Sequence, residues 1–203
     1  MICGGFNNDI FDIYLYSLAN ECYSFTAKKA TLITYMSVER VDAASIVLND
    51  NTLWVTGGSG LAATEYLTAT GTMLGPDLPM ALYEHAMVAI NSTCSIVIGG
   101  FSNYEVSTST FFYNHNEGEW HYFGNWTNGP SLVQGRRYPA AGIVTDEVTD
   151  EHFVVVTGGD VADLSGSAFV DLDSTEILQD GEWVQGKIDD MLSSGHFLLP
   201  KYF

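Results

Sequence analysis

Basic residues are scarce in this chain of 203 residues: seven lysines and arginines stand against 25 aspartates and glutamates, for a net charge of −18. Such a surface repels phosphate backbones and anionic lipid, which argues against nucleic-acid and membrane-surface partners. Solubility is the plain reading of that charge, and attraction of a basic partner is the other. Cysteine is equally sparse. Cys3, Cys22 and Cys94 form no CxxC and no self-contained disulfide framework, which leaves open one bridge plus a free thiol. No apolar run approaches the roughly 18 residues of a membrane span, so no membrane insertion is expected. The first residues show no basic and then apolar leader. Catalytic signatures are missing too: there is no HExxH or HxxxH, no zinc spacing, no Gly-x-Ser-x-Gly elbow and no P-loop.

Glycine is plentiful instead, 20 residues against five prolines, and its placement is regular. Gly-Gly pairs stand at Gly4-Gly5, Gly57-Gly58, Gly99-Gly100 and Gly158-Gly159, and the last three close the runs Thr52–Thr56, Ser95–Ile98 and Phe153–Thr157. The pairs recur about every 50 residues, a period that marks propellers and arrays. Aromatic and β-branched residues dominate the apolar runs and favour strands. Upstream of a pair lies a small-residue alternating stretch led by Arg40 or Arg137, or preceded by His85. Downstream a third strand is expected at residues 11–16, 64–68, 108–113 and 174–178. A fourth is announced by Gly-Glu-Trp120 and Gly-Glu-Trp183, where glycine suits a hairpin turn. Cys22 and Met73 stand at that tryptophan position in the first two units. Four short strands per period make one small antiparallel sheet, whose faces are buried by stacking on its neighbours.

This run of apolar strand, Gly-Gly, aromatic and Gly-x-Trp, with Arg-x-x-(His/Ala)-Ala opening the next unit, resembles the kelch repeat over almost the whole chain. The resemblance implies an all-β fold, a kelch-type β-propeller of about four blade units, incomplete at one or both ends. The units read as residues 1–36, 37–80, 81–132 and 133–190, with 191–203 starting another blade and His196 matching His85. A ring closed by an end strand and a fragment of a larger propeller are both open. Gly4, Gly5, Gly57, Gly58, Gly99, Gly100, Gly158, Gly159, Trp120 and Trp183 are the structural repeat positions.

Function is expected on the loops that the repeat leaves free. The loops Phe101–Ser107, with Tyr104, and Asp160–Ala168, with Asp160 and Asp163, extend beyond the Gly-Gly pairs, and with Arg136, Arg137 and Tyr138 they offer residue types that anchor interfaces. A non-catalytic module that binds a protein partner is the leading expectation, with no cofactor. The alternative is part of a galactose-oxidase-like or carbohydrate-handling enzyme. No copper-ligand motif of that enzyme matches here, so none of its residues is carried over. Asp160, Asp163, Asp171 and Asp173 cluster as a solvated acidic loop or a weak calcium site. His85 and His196 read as structural, and His115 and His121 as solvated. Asn91-Ser-Thr and Asn125-Trp-Thr are glycosylation sequons in expected loops, which leans the chain towards the extracellular side.

Overall fold

Each apolar run that ends in Gly-Gly becomes the central strand of a sheet, because only there is a strand covered on both sides. The computed structural model describes residues 2–4, 6–8, 16–26, 29–48, 52–115, 124–146, 150–163, 168–186 and 197–198. Gly5, Trp120, His121 and His196 lie outside the described residues. Among the described residues every element is a strand.

The first sheet has the order β1-β4-β5, with β1 (Ile2–Cys3), β4 (Glu21–Thr26) and β5 (Lys29–Tyr35); β2 (Phe6–Asn8) and β3 (Tyr16–Leu18) form a side ribbon. The second runs β6 (Ala44–Val47), β7 (Leu53–Thr56), β8 (Thr64–Thr68), β9 (Gly71–Leu74) in simple order. The third comprises β10 (Ala86–Asn91), β11 (Cys94–Ile98), β14 (Thr110–His115) and β15 (Gly124–Asn128), with β12 (Phe101–Ser102) and β13 (Glu105–Val106) as its ribbon. The fourth uses β16 (Ala140–Asp146), β17 (His152–Thr157), β20 (Thr175–Gln179), β21 (Glu182–Gly186) and β22 (Phe197–Leu198), with the ribbon β18 (Asp160–Ala162) and β19 (Phe169–Asp171).

Two compact units contain these sheets: Met1–Tyr83 with Asn116–Gly124, and Glu84–His115 with Asn125–Phe203. In the first, Cys22, Met36, Leu53, Val55 and Leu67 form the core, and Trp54 stacks on Tyr66 at 5.2 Å. In the second, Val88, Ile96, Ile98, Leu132, Val154, Val156 and Trp183 do so.

Register corrects several expectations. The third strand of the first sheet is β4, not residues 11–16, of which only Tyr16 is described and opens β3. Met73 pairs with Tyr66 and is 46% exposed; Trp183 pairs with Leu178, so the residue at its place in the second sheet is Thr72, which pairs with Leu67. Cys22 is not at the tryptophan position either. It sits opposite Cys3, where the other sheets pair Thr56 with Thr64, Ile98 with Thr110 and Thr157 with Thr175. Cys3 and Cys22 form a disulfide, whereas Thr157 and Thr175 share a hydroxyl hydrogen bond of 2.8 Å. In the third sheet, Gly129 donates to the Thr110 carbonyl as Gly75 does to that of Thr64. Trp126 stands three residues before Gly129, as Trp183 stands three before Gly186, the partner of Thr175. Trp126 is therefore the equivalent tryptophan, and it packs on Tyr113 at 4.8 Å. Phe197 and Leu198, expected within a further blade, instead pair with Asp146 and Thr145 of β16.

The Gly-Gly pairs are required by a close backbone approach. At Gly99 (φ +64°) a Cβ would lie 2.6 Å from the Arg136 carbonyl oxygen, which also accepts the Gly100 N–H at 2.8 Å. Any side chain there would push the two segments apart.

Arg136 does more than offer its carbonyl. Its guanidinium reaches forward into the fourth sheet, bonding the Gly158 carbonyl at 2.9 Å, the Ser174 carbonyl at 3.0 Å and Glu176 at 2.8 Å. Glu176 in turn accepts the Val133 and Gln134 N–H groups. Arg40 repeats this in the first unit: it bonds Gly57 and Ala63 carbonyls and Glu65, which accepts the Ser37 N–H. Both ion pairs are withdrawn from solvent. Register places Leu82 and Phe111 at the corresponding positions of the third repeat, two buried apolar residues instead of an ion pair. The arginine equivalent to Arg40 is thus Arg136, not Arg137.

His85 occupies the place held by Ala43 in the second sheet, one residue before the first strand. It is buried, and burial pushes its pKa from 6.5 down to about 4. The folded chain therefore holds His85 neutral where the unfolded chain binds a proton. Stability should fall as pH drops below 6.5, by about 2 kcal/mol at pH 5, and level off near pH 4. Denaturant melts across this range should show the loss in the native chain and a smaller one in His85→Ala. Equal slopes in the two would refute the assignment.

Candidate functional site

Arg137 follows the buried Arg136, and the chain turns its side chain to the surface beside the fourth sheet's ribbon. The backbone fixes it: Arg137 and Asp160 exchange N–H···O=C bonds of 3.0 Å in an isolated bridge, and Gly159 leaves room for the approach. Tyr138, next in line, adopts φ +51° and donates its N–H to the Glu84 carbonyl at 2.7 Å. Glu84 itself has φ +59°.

Charge and aromatic surface meet at the guanidinium. Its Nε bonds Asp160 Oδ1, its Nη2 lies 3.3 Å from Asp160 Oδ2, and its Nη1 lies 3.5 Å from Glu84 Oε2. Desolvation lowers the Arg137 pKa, but the Asp160 hydrogen bond and the charges of Glu84 and Asp160 outweigh it and hold the pKa above its ordinary value. The same group stacks 3.2 Å from the Phe169 ring centroid, with the Tyr138 ring at 5.5 Å and Phe101 at 6.0 Å. Phe101 meets Phe169 edge-on at 6.1 Å. A guanidinium sandwiched this way is pre-organised, so it loses little freedom when a partner covers it.

Beyond it the ribbon β12–β13 turns on Asn103 and Tyr104, both with positive φ (50° and 65°), as a two-residue primed turn requires. Glycine is the usual second residue of that turn. Tyrosine there is strained, and its side chain is 96% exposed. Phe169, Val170 and Tyr138 are about half exposed.

Of the six residues expected on interaction loops, the structure brings Arg137, Tyr138 and Asp160 together. Tyr104 stands at the tip of the ribbon just described. Asp163 ends the β18 side of its ribbon, where its N–H donates to the Ala168 carbonyl. Arg136 is the exception: its side chain is wholly buried in the ion pair with Glu176, so it offers nothing to a partner. Phe101 belongs to the expected loop Phe101–Ser107, whereas Phe169, one residue past the loop Asp160–Ala168, and Glu84 were not expected at the surface. The adjacent apolar pair Phe169-Val170, ahead of Asp171, was the signal available for Phe169.

The chain matches no protein-family model and no curated protein.

Other candidates resolve into structural roles. His115, expected in solvent, is buried, bonds Ser95 Oγ at 3.0 Å and stands edge-on to Tyr113. Ser95 has no exposed surface, so this pair cannot meet a substrate. His152 is surface-exposed and shares a 2.8 Å hydrogen bond with the Thr145 hydroxyl. Asp160 is directly opposite Asp171 but is engaged by Arg137, and among the described residues no group of three His, Cys, Asp or Glu could hold a metal ion.

Proposed function

We propose that this chain is a kelch-type β-propeller region that binds a protein partner without catalysis, using the surface around Arg137. The repeated meander of strands closed by Gly-Gly supports the propeller reading, and the two equivalent Arg–Glu pairs support common descent of the units. The observation that carries the function is the half-exposed pair Tyr138 and Phe169 held against a fixed guanidinium, with Tyr104 fully exposed at the tip of the β12–β13 ribbon. Aromatic and arginine anchors of this kind dominate binding energy at protein interfaces.

Tyr104→Gly separates binding from folding. It relieves a left-handed tyrosine, so the variant should gain about 1 kcal/mol in a thermal or denaturant melt. Together with Phe169→Ser it should weaken capture of the partner by about 30-fold, the loss of one hot spot. The measurement is quantitative affinity capture by the native chain and the double variant from the same extract. A partner retained equally by both would sink the proposed surface.

A further inference from the structure

We propose that Asn91 carries an N-linked glycan, on a chain that matures in an oxidising secretory compartment. The acceptor sequence Asn91-Ser92-Thr93 spans the tip of the hairpin between β10 and β11, where Asn91 pairs with Cys94 and Ser92-Thr93 form the turn. Asn91 and Ser92 are exposed. Asn91 Oδ1 accepts the Thr93 N–H at 2.8 Å and the Thr93 hydroxyl at 3.0 Å. The turn thus takes up the amide oxygen and leaves Nδ2, the atom to which a glycan is attached. The Thr93 carbonyl is anchored by the His115 N–H at 2.8 Å, so the tip is held in place from below.

The covalent step is transfer from a lipid-linked diphospho-oligosaccharide. A bond forms between Asn91 Nδ2 and the sugar C1, the C1–oxygen bond to the diphosphate breaks, and the lipid diphosphate leaves as Nδ2 gives up one proton. Nothing in the hairpin need move to accept the product. The β10–β11 ladder is complete below the tip, from Ala86 with Ile98 to Ala89 with Ser95. Asn125-Trp126-Thr127 is the weaker acceptor: it lies within β15 rather than at a turn, and its central tryptophan packs on Tyr113.

The Cys3–Cys22 bridge points independently to the same compartment. The fourth sheet fills that register position with the Thr157–Thr175 hydroxyl pair, so the fold does not itself demand a cystine there. Disulfides of this structural kind persist in oxidising compartments, where glycan transfer also takes place.

The test is to purify the full-length protein from the cells that make it, and to release N-glycans enzymatically in heavy-oxygen water. Release turns a glycosylated asparagine into labelled aspartate, read by peptide mass spectrometry alongside a non-reducing map of the cystine. Labelled aspartate at position 91 together with the Cys3–Cys22 cross-link is the expected result. An unlabelled Asn91, label confined to position 125, or reduced Cys3 and Cys22 would overturn the proposal. In secreting cells that express the chain, Asn91→Gln and Thr93→Ala should abolish the modification at this site, and Thr93→Ser should keep it. That comparison is made on total protein, so it does not depend on how well a variant folds.

Discussion

Arg136→Leu should destabilise the second unit by about 3–5 kcal/mol, the usual result of leaving one partner of a buried ion pair alone. For a chain of this size that corresponds to a fall of about 10 °C in Tm. Glu176 would keep only the Val133 and Gln134 amides as partners, and the Gly158 and Ser174 carbonyls would lose their donor. The chain itself suggests the compensating change, because its third repeat has Leu82 and Phe111 at these two positions. The double variant Arg136→Leu/Glu176→Phe should therefore lose less stability than the two single variants do together. It should still fall short of the native chain, since each orphaned amide costs about 1–3 kcal/mol. A double variant as unstable as the sum of Arg136→Leu and Glu176→Phe would show that the two side chains do not act as a pair. The same comparison at Arg40 and Glu65 is the internal replicate, with Ser37 as the amide left behind.

The second large effect is expected at the cystine. Cys3 and Cys22 close a loop of 19 residues, and opening it releases chain entropy worth about 3 kcal/mol. Reduction with a strong dithiol should lower the stability of the first unit by that amount. A Cys3→Thr/Cys22→Thr variant, which imitates the pair in the fourth sheet, should lie between the oxidised and reduced forms in a denaturant melt. Its shared hydroxyl bond returns about 1 kcal/mol, and no cross-link remains. If reduction left the midpoint unchanged, the bridge would have no part in holding β1 against β4.

The repeat was legible where its residues are contiguous. The runs Leu53–Thr56, Cys94–Ile98 and His152–Thr157 are strands because their apolar residues and terminal glycines lie side by side in the chain. Long-range partners were not legible. Arg40 meets Glu65 after 25 residues and Arg136 meets Glu176 after 40, because the fourth sheet carries a ribbon that the second lacks. Two adjacent arginines hid which one turns inwards. The misplaced tryptophan has a similar cause: Gly-Glu-Trp120 copies Gly-Glu-Trp183 locally, yet Trp126 is fixed by its distance to Gly129. Of the candidate surface, Arg137, Tyr138, Asp160 and the loop that begins at Phe101 were named, and Glu84 and Phe169 were missed because only folding brings them to Arg137.

The arginines have one more consequence, for cooperativity. Each holds its backbone against the glycines of one sheet and its side chain inside the next: Arg40 beside Gly4 and into Glu65, Arg136 beside Gly99 and into Glu176. Two neighbouring sheets so linked must melt together, since neither can open without stranding a buried charge. The chain divides into its two compact units at Tyr83 and Glu84, so each unit holds one such arginine. Within each unit the arginine thus makes the opening of one sheet the opening of both.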